Sequence, residues 1–123
     1  MKKILVLCTL SVVAIGVLVW RAVATPSRFG AFTGGPRADV AAVIADPKQF
    51  LGKTLQVEGT VHEQCKAMGC YFFFHSAKGT LRVDIQEIAM HAPMREGHTA
   101  RVEGQIVPYN GAYQFYASAV EFK

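Results

Sequence analysis

The chain has 123 residues, enough for one small domain once a leader is set aside and too few for two separate cores. It is 51% hydrophobic and 18% charged with a mean hydropathy of +0.24, too apolar to remain disordered. Its formal charge of +4 points towards nucleic acid only until it is divided by region. Lys2, Lys3, Arg21, Arg28 and Arg37 all precede Ala38, and from Ala38 onward 8 basic residues stand against 9 acidic ones. That net −1 excludes the basic groove that phosphate contacts need and argues against nucleic acid as a partner.

In chain order, Ile4 to Trp20 is an uncharged apolar run behind two lysines and ahead of Arg21. At about 1.5 Å per residue it reaches roughly 26 Å as a helix, short of a ~30 Å hydrocarbon core yet long for the apolar part of a signal peptide. Ala22-Val23-Ala24 supplies a small-x-small cleavage pattern, with Arg21 an awkward neighbour for it. Residues 1–24 therefore read as either a signal peptide or a membrane anchor helix. Both readings export the remainder, giving a periplasmic or extracytoplasmic domain with the membrane as a partner through the helix. Cys8 lies inside the apolar run with Leu7 before it, where a lipoprotein acceptor needs a small residue. Residues 25–37, rich in Gly, Pro, Ser and Thr without an apolar period, read as a flexible linker.

The domain is expected over 38–123. Asp39 is a candidate N-cap for a short helix with Val40, Val43 and Ile44 on one face, and Pro47 ends it or opens a further turn. From Thr54 to Cys65, Leu55, Val57, Gly59 and Val61 alternate with Gln56, Glu58, Thr60 and His62, which predicts a half-buried strand. Cys70 to Ala77 is a second strand, aromatic on both faces, and Leu81, Val83 and Ile85 mark a third behind Lys78-Gly79. Ile88 to Met94 forms a short helix or an irregular crossover. Gly97 to Val107 and Ala112 to Lys123 supply two more strands around the turn Pro108-Tyr109-Asn110-Gly111.

Five strands with a crossover between the third and fourth is the order of an OB-fold, a small Greek-key barrel. The segment A-D-P-K-Q-F-L-G-K-T-L-Q-V-E-G-T-V at 45–61 resembles the entry into the first strand of many small bacterial OB-fold domains. The resemblance implies an all-β fold, a five-stranded OB-fold-like barrel with short helices behind an N-terminal hydrophobic helix.

Chemistry concentrates in one hairpin, Cys65-Lys66-Ala67-Met68-Gly69-Cys70. In an antiparallel hairpin the two cysteines stand opposite each other at a Cα separation of about 4.5–5.5 Å, within the ~4.4–6.8 Å a disulfide accepts. A loop this short gains about 2 kcal/mol from the bridge. The alternatives are a metal site, in which Cys65, Cys70 and Met68 would suit Cu(I), making copper the one cofactor in view, and a cycling redox pair. A Cys2His2 set with His62 and His75 conflicts with strand parity, which places His62 opposite Phe73 and both histidines on the face away from the cysteines. One inserted residue near Glu63 would reverse the alternation beyond it. The segment V-H-E-Q-C-K-A-M-G-C-Y at 61–71 is similar to the C-x-x-x-G-C-W signature of a family of exported bacterial OB-like proteins of unknown function, with Tyr71 at the Trp position. The resemblance implies export and brings no known activity.

Parity gathers His62, Tyr71, Phe73 and His75 into an outer aromatic and imidazole patch, the ligand-face candidates, unless the helix at Val40, Val43 and Ile44 covers it. His91 and His98 are expected in solvent, and the carboxylates on solvent faces. The sequence contains no G-x-S-x-G, H-E-x-x-H, P-loop or dinucleotide fingerprint, and no catalytic residue is assigned. These readings describe a non-enzymatic binding module of the cell envelope for a small ligand, a glycan or an envelope protein. A copper-handling or thiol-redox accessory protein is the alternative.

Overall fold

A computed structural model describes residues 27–67 and 70–123. The leader assigned to residues 1–24, together with Cys8 and Met68, lies outside the described residues. Among the described residues no helix is long and apolar enough to cross a membrane.

The domain is all-β and OB-fold-like, with six strands: β1 Arg28–Gly30, β2 Leu55–Thr60, β3 Tyr71–Ser76, β4 Gly79–Asp84, β5 Thr99–Tyr109 and β6 Ala112–Phe122. They form one mixed sheet in the order β2-β5-β6-β4-β3, with β1 paired to β6 and β4 parallel to β6. The sheet is not closed; the segment after β2 reaches β3 through the bridge between His62 and Phe73.

Alternation decides which side chains enter. Val57, Val61, Phe72, Phe74, Val83, Ile85, Val102 and Phe115 are all at 1% exposure or less and share one apolar cluster. Gly59 belongs to this packing, because a Cβ there would stand 2.8 Å from the Phe74 ring. At Gly104 a Cβ would meet the Tyr116 carbonyl oxygen at 2.1 Å, at the register irregularity that leaves Ser118 as the extra residue on β6. Asn110 and Gly111, both at positive φ, form the two-residue turn between β5 and β6.

Helix α1, Val40–Ala45, places Val40 and Val43 in the core cluster and packs against β2, β3 and β4. Asp39 occupies the N-cap position without a side-chain cap hydrogen bond, and its carbonyl accepts from the Val43 N–H. Pro47 opens a 3-10 turn, Pro47–Phe50. The apolar face of α1 is thus spent on the core.

Two expectations need correction. Of the stretch 25–37 read as a flexible linker, the described residues 27–37 lie along the barrel as a strap: β1 pairs with β6, Pro36 and Ala38 exchange backbone hydrogen bonds with Gln56, and Phe32 stacks under two arginines. And Glu103, expected on a solvent face, is fully buried beneath that strap. Composition cannot show either result, since the strap is held by backbone pairing and one carboxylate rather than by an apolar period.

Candidate functional site

β3 begins immediately behind the cysteine loop and runs Tyr71-Phe72-Phe73-Phe74-His75-Ser76, with Phe72 and Phe74 buried and Tyr71, Phe73 and His75 turned outward. The tight turn at Ala77-Lys78 pairs Phe73 with Arg82 and His75 with Thr80 on β4. On the other side His62 and Phe73 exchange both backbone hydrogen bonds, at 2.9 and 2.8 Å. His62, Phe73 and Arg82 therefore lie in one row across three segments.

The four residues expected on a shared outer face are brought together. The His62 and His75 rings stack in parallel, 4.1 Å between centroids at 5°. Tyr71 and Phe73 meet edge to face at 6.1 Å, and Glu63 lies 3.6 Å from His75 Nε2. Arg82, which the sequence analysis did not single out, is at the centre. Its guanidinium stands 4.4 Å over the Tyr71 ring and 4.5 Å over the Tyr109 ring. It also donates to Gln114 Oε1 and lies 3.6 Å from Asp84. Tyr109 comes from the far turn, next to Asn110-Gly111, so the arrangement joins the loop after β2 to the loop after β5. The one available signal for Arg82 was hairpin register: a turn at Ala77-Lys78 puts residue 82 opposite Phe73.

Beside this row, Tyr116 donates to Glu87, and that hydrogen bond, with burial and the nearby carboxylates, pushes its hydroxyl pKa up to about 12. Tyr116, Asp84, Gln86, Glu87 and Met90 line an open cavity of about 410 Å³.

The register between β3 and the segment after β2 slips at Glu63, which adopts φ 49°. His62 still pairs with Phe73, but the Cys65 N–H donates to the Tyr71 carbonyl. The extra residue turns Gln64 into the body, where its side chain donates to the Pro93 carbonyl and accepts from Arg95 N–H, while its own N–H donates to Glu96. This is the inserted residue whose effect on parity the sequence anticipated, and it replaces the directly opposed pairing of Cys65 with Cys70. The two cysteines nonetheless lie 4.0 Å apart. Cys70 is buried and Cys65 half-buried. Burial, then contact with Cys65, raises the Cys70 thiol pKa above its ordinary range. Cys65 lines an open cavity of about 490 Å³ with Glu63, Gln64, Lys66, Tyr71 and Glu96. Among the described residues no group of three or more His, Cys, Asp and Glu side chains converges as a metal site. His91 and His98 are exposed, and His98 Nδ1 lies 3.1 Å from the Lys123 carbonyl.

On the opposite side of the barrel, Glu103 accepts from Thr33 N–H and Oγ1, Gly35 N–H and Gln56 Nε2 at 2.6–3.0 Å. Burial by itself would raise its pKa; these hydrogen bonds to the charged form outweigh it and hold the carboxyl at about 2.

Solved structures share the fold at low identity, among them the following two. The hypothetical protein ygiW from E. coli matches with a TM-score of 0.53 and 15% identity over 76% of this chain and 99% of its own. A protein from Leishmania major Friedlin described as an aspartyl-tRNA synthetase matches with a TM-score of 0.50 and 8% identity, over 75% of this chain but only 21% of its own. At these identities the likeness is one of fold, an OB-fold-like barrel. No family model and no curated protein matches the chain.

Proposed function

We propose that the chain is a non-enzymatic binding module of the bacterial cell envelope, exported by its leader, that takes a small ligand, a glycan or an envelope protein on the outer face around Tyr71, Phe73, His62, His75 and Arg82. The observation that carries this reading is the stacking of Arg82 on both Tyr71 and Tyr109, which links the two loops flanking the sheet face where OB-folds take ligands. The half-buried aromatic rings and guanidinium edge suit a ligand that stacks and accepts hydrogen bonds. The net −1 of residues 38–123 weighs against a phosphate backbone. In the oxidising space that export implies, Cys65 and Cys70, 4.0 Å apart, close as a disulfide behind Tyr71.

The test is an NMR titration of the isotope-labelled full chain with neutral oligosaccharides and, separately, with a single-stranded oligonucleotide. Amide shifts confined to residues 62–75, 82 and 109, with affinity about tenfold or more lower for Tyr71→Ala and Arg82→Ala, are expected for the saccharide class. Tighter, steeply salt-dependent binding of the oligonucleotide defeats the reading. Copper bound stoichiometrically by reduced Cys65 and Cys70 replaces the disulfide with the metal-handling alternative.

A further inference from the structure

We propose that Cys65 and Cys70 form a thiol–disulfide exchange site in which Cys65 is the sulfur that meets the partner's disulfide and Cys70 the sulfur that resolves the mixed intermediate. The proposal rests on the reading that this pair closes as a disulfide, and adds a reaction and a substrate class to it.

Geometry assigns the two roles. The cysteines are neighbours, 4.0 Å apart. Only Cys65 opens onto the cavity of about 490 Å³, whose size falls in the range of small-molecule pockets. Lys66, Glu63 and Glu96 on its wall offer both signs of charge to a zwitterionic peptide disulfide. Cys70 is buried, its carbonyl accepting from the Ile85 N–H, so it is reached through Cys65.

Starting from the dithiol, Cys65 gives up its proton and its sulfur attacks the partner's S–S bond. One partner sulfur becomes bonded to Cys65, and the other leaves and takes a proton. Cys70 then loses its proton and attacks the Cys65 sulfur, forming the internal disulfide and releasing the second partner sulfur as a thiol. Two electrons pass from the pair to the partner, which is reduced to two thiols. Burial disfavours the Cys70 thiolate, so Cys70 is a poor leaving group and the internal disulfide, once made, resists the reverse attack. The pair is thus an electron donor when reduced and a stable bridge when oxidised.

The test uses the full chain carrying Cys8→Ala, so that the pair supplies all the sulfhydryls. In the reduced protein iodoacetamide is expected to label Cys65 about tenfold faster than Cys70. With oxidised glutathione, peptide mass spectrometry should find a transient glutathionyl adduct on Cys65 that gives way to the internal disulfide, and Cys70→Ser should stop at the adduct. A parallel arm with scrambled ribonuclease distinguishes a protein disulfide from a small one as the faster partner, with Cys65 the entry sulfur in either case. Labelling or adduct formation that begins on Cys70 overturns the assigned roles while leaving the bridge intact. Glutathione retained on both sulfurs, with no internal disulfide, removes the exchange site and the bridge together. Should Cys70→Ser fail to fold, the labelling rates of the unsubstituted pair decide.

Discussion

Arg101 and Arg82 both sit against aromatic rings on this barrel, and the difference between them is informative. Arg101 lies 4.2 Å over Phe32 of the strap, donates to Gln56 and pairs with Glu121, while Arg82 lies over Tyr71 and Tyr109 and donates to Gln114. Their side chains are almost equally exposed, 19% and 20%. On the Arg101 side the chain supplies its own occupant, and residues 27–37 fill the surface and bury Glu103. On the Arg82 side His62, Tyr71 and Phe73 stay partly exposed and His75 exposed. Similar chemistry is thus spent on self-association in one place and left available in the other.

The sharpest way to break this comparison is to remove the strap's anchor. Glu103→Ala strips four donors of their buried acceptor and is expected to cost about 3 kcal/mol or more in urea-monitored stability. Amide exchange at Thr33 and Gly35 should rise while that of Phe73 and Arg82 changes little; equal loosening on both sides would show that the strap and open face are one cooperative unit. The same carboxylate predicts a pH dependence. Its folded pKa of about 2 lies below its ordinary 4.5, so its contribution is complete above about 4.5 and is lost as pH falls towards 2, roughly 3 kcal/mol in all at ~1.36 kcal/mol per unit. Stability measured from pH 6 to pH 2 should show that loss, and Glu103→Gln should flatten it. On the open side, Arg82→Ala removes two cation–π contacts and leaves the buried Gln114 oxygen without its donor, an expected cost of about 2 kcal/mol by thermal melting. The strap amides should then keep their protection. The smallest effect is expected at the solvent-exposed pair of Lys123 and Glu58, 2.7 Å apart, where the hydrogen bond from Lys123 lowers the Glu58 pKa. Lys123→Ala should change stability by no more than about 0.5 kcal/mol.

Much of the fold was legible because strands announce themselves by alternation. Leu55, Val57 and Val61, then Phe72 and Phe74, then Leu81, Val83 and Ile85 enter the core as their spacing requires. The pairing of His62 with Phe73 and the shared face of His62, Tyr71, Phe73 and His75 agree with strand parity, although the loop beyond Glu63 does not keep the expected register. What could not be read was anything set by segments distant in sequence. Thr33 and Glu103 are separated by 70 residues, and no periodicity links a Gly-rich stretch to a carboxylate that caps its amides. Arg82 could be placed on a strand face, but its position between Tyr71 and Tyr109 depends on which strands become neighbours.

The sequence by itself determined the all-β domain, its strand order along the chain and the inward or outward sense of most side chains, because these follow from local period and turn chemistry. Tertiary structure alone decided that the Gly-rich segment 27–37 straps the barrel, that Glu103 is a buried anchor, and that one residue of slip at Glu63 moves Cys65 out of direct opposition to Cys70. Each depends on long-range pairing and on the path of the backbone, which local pattern does not encode.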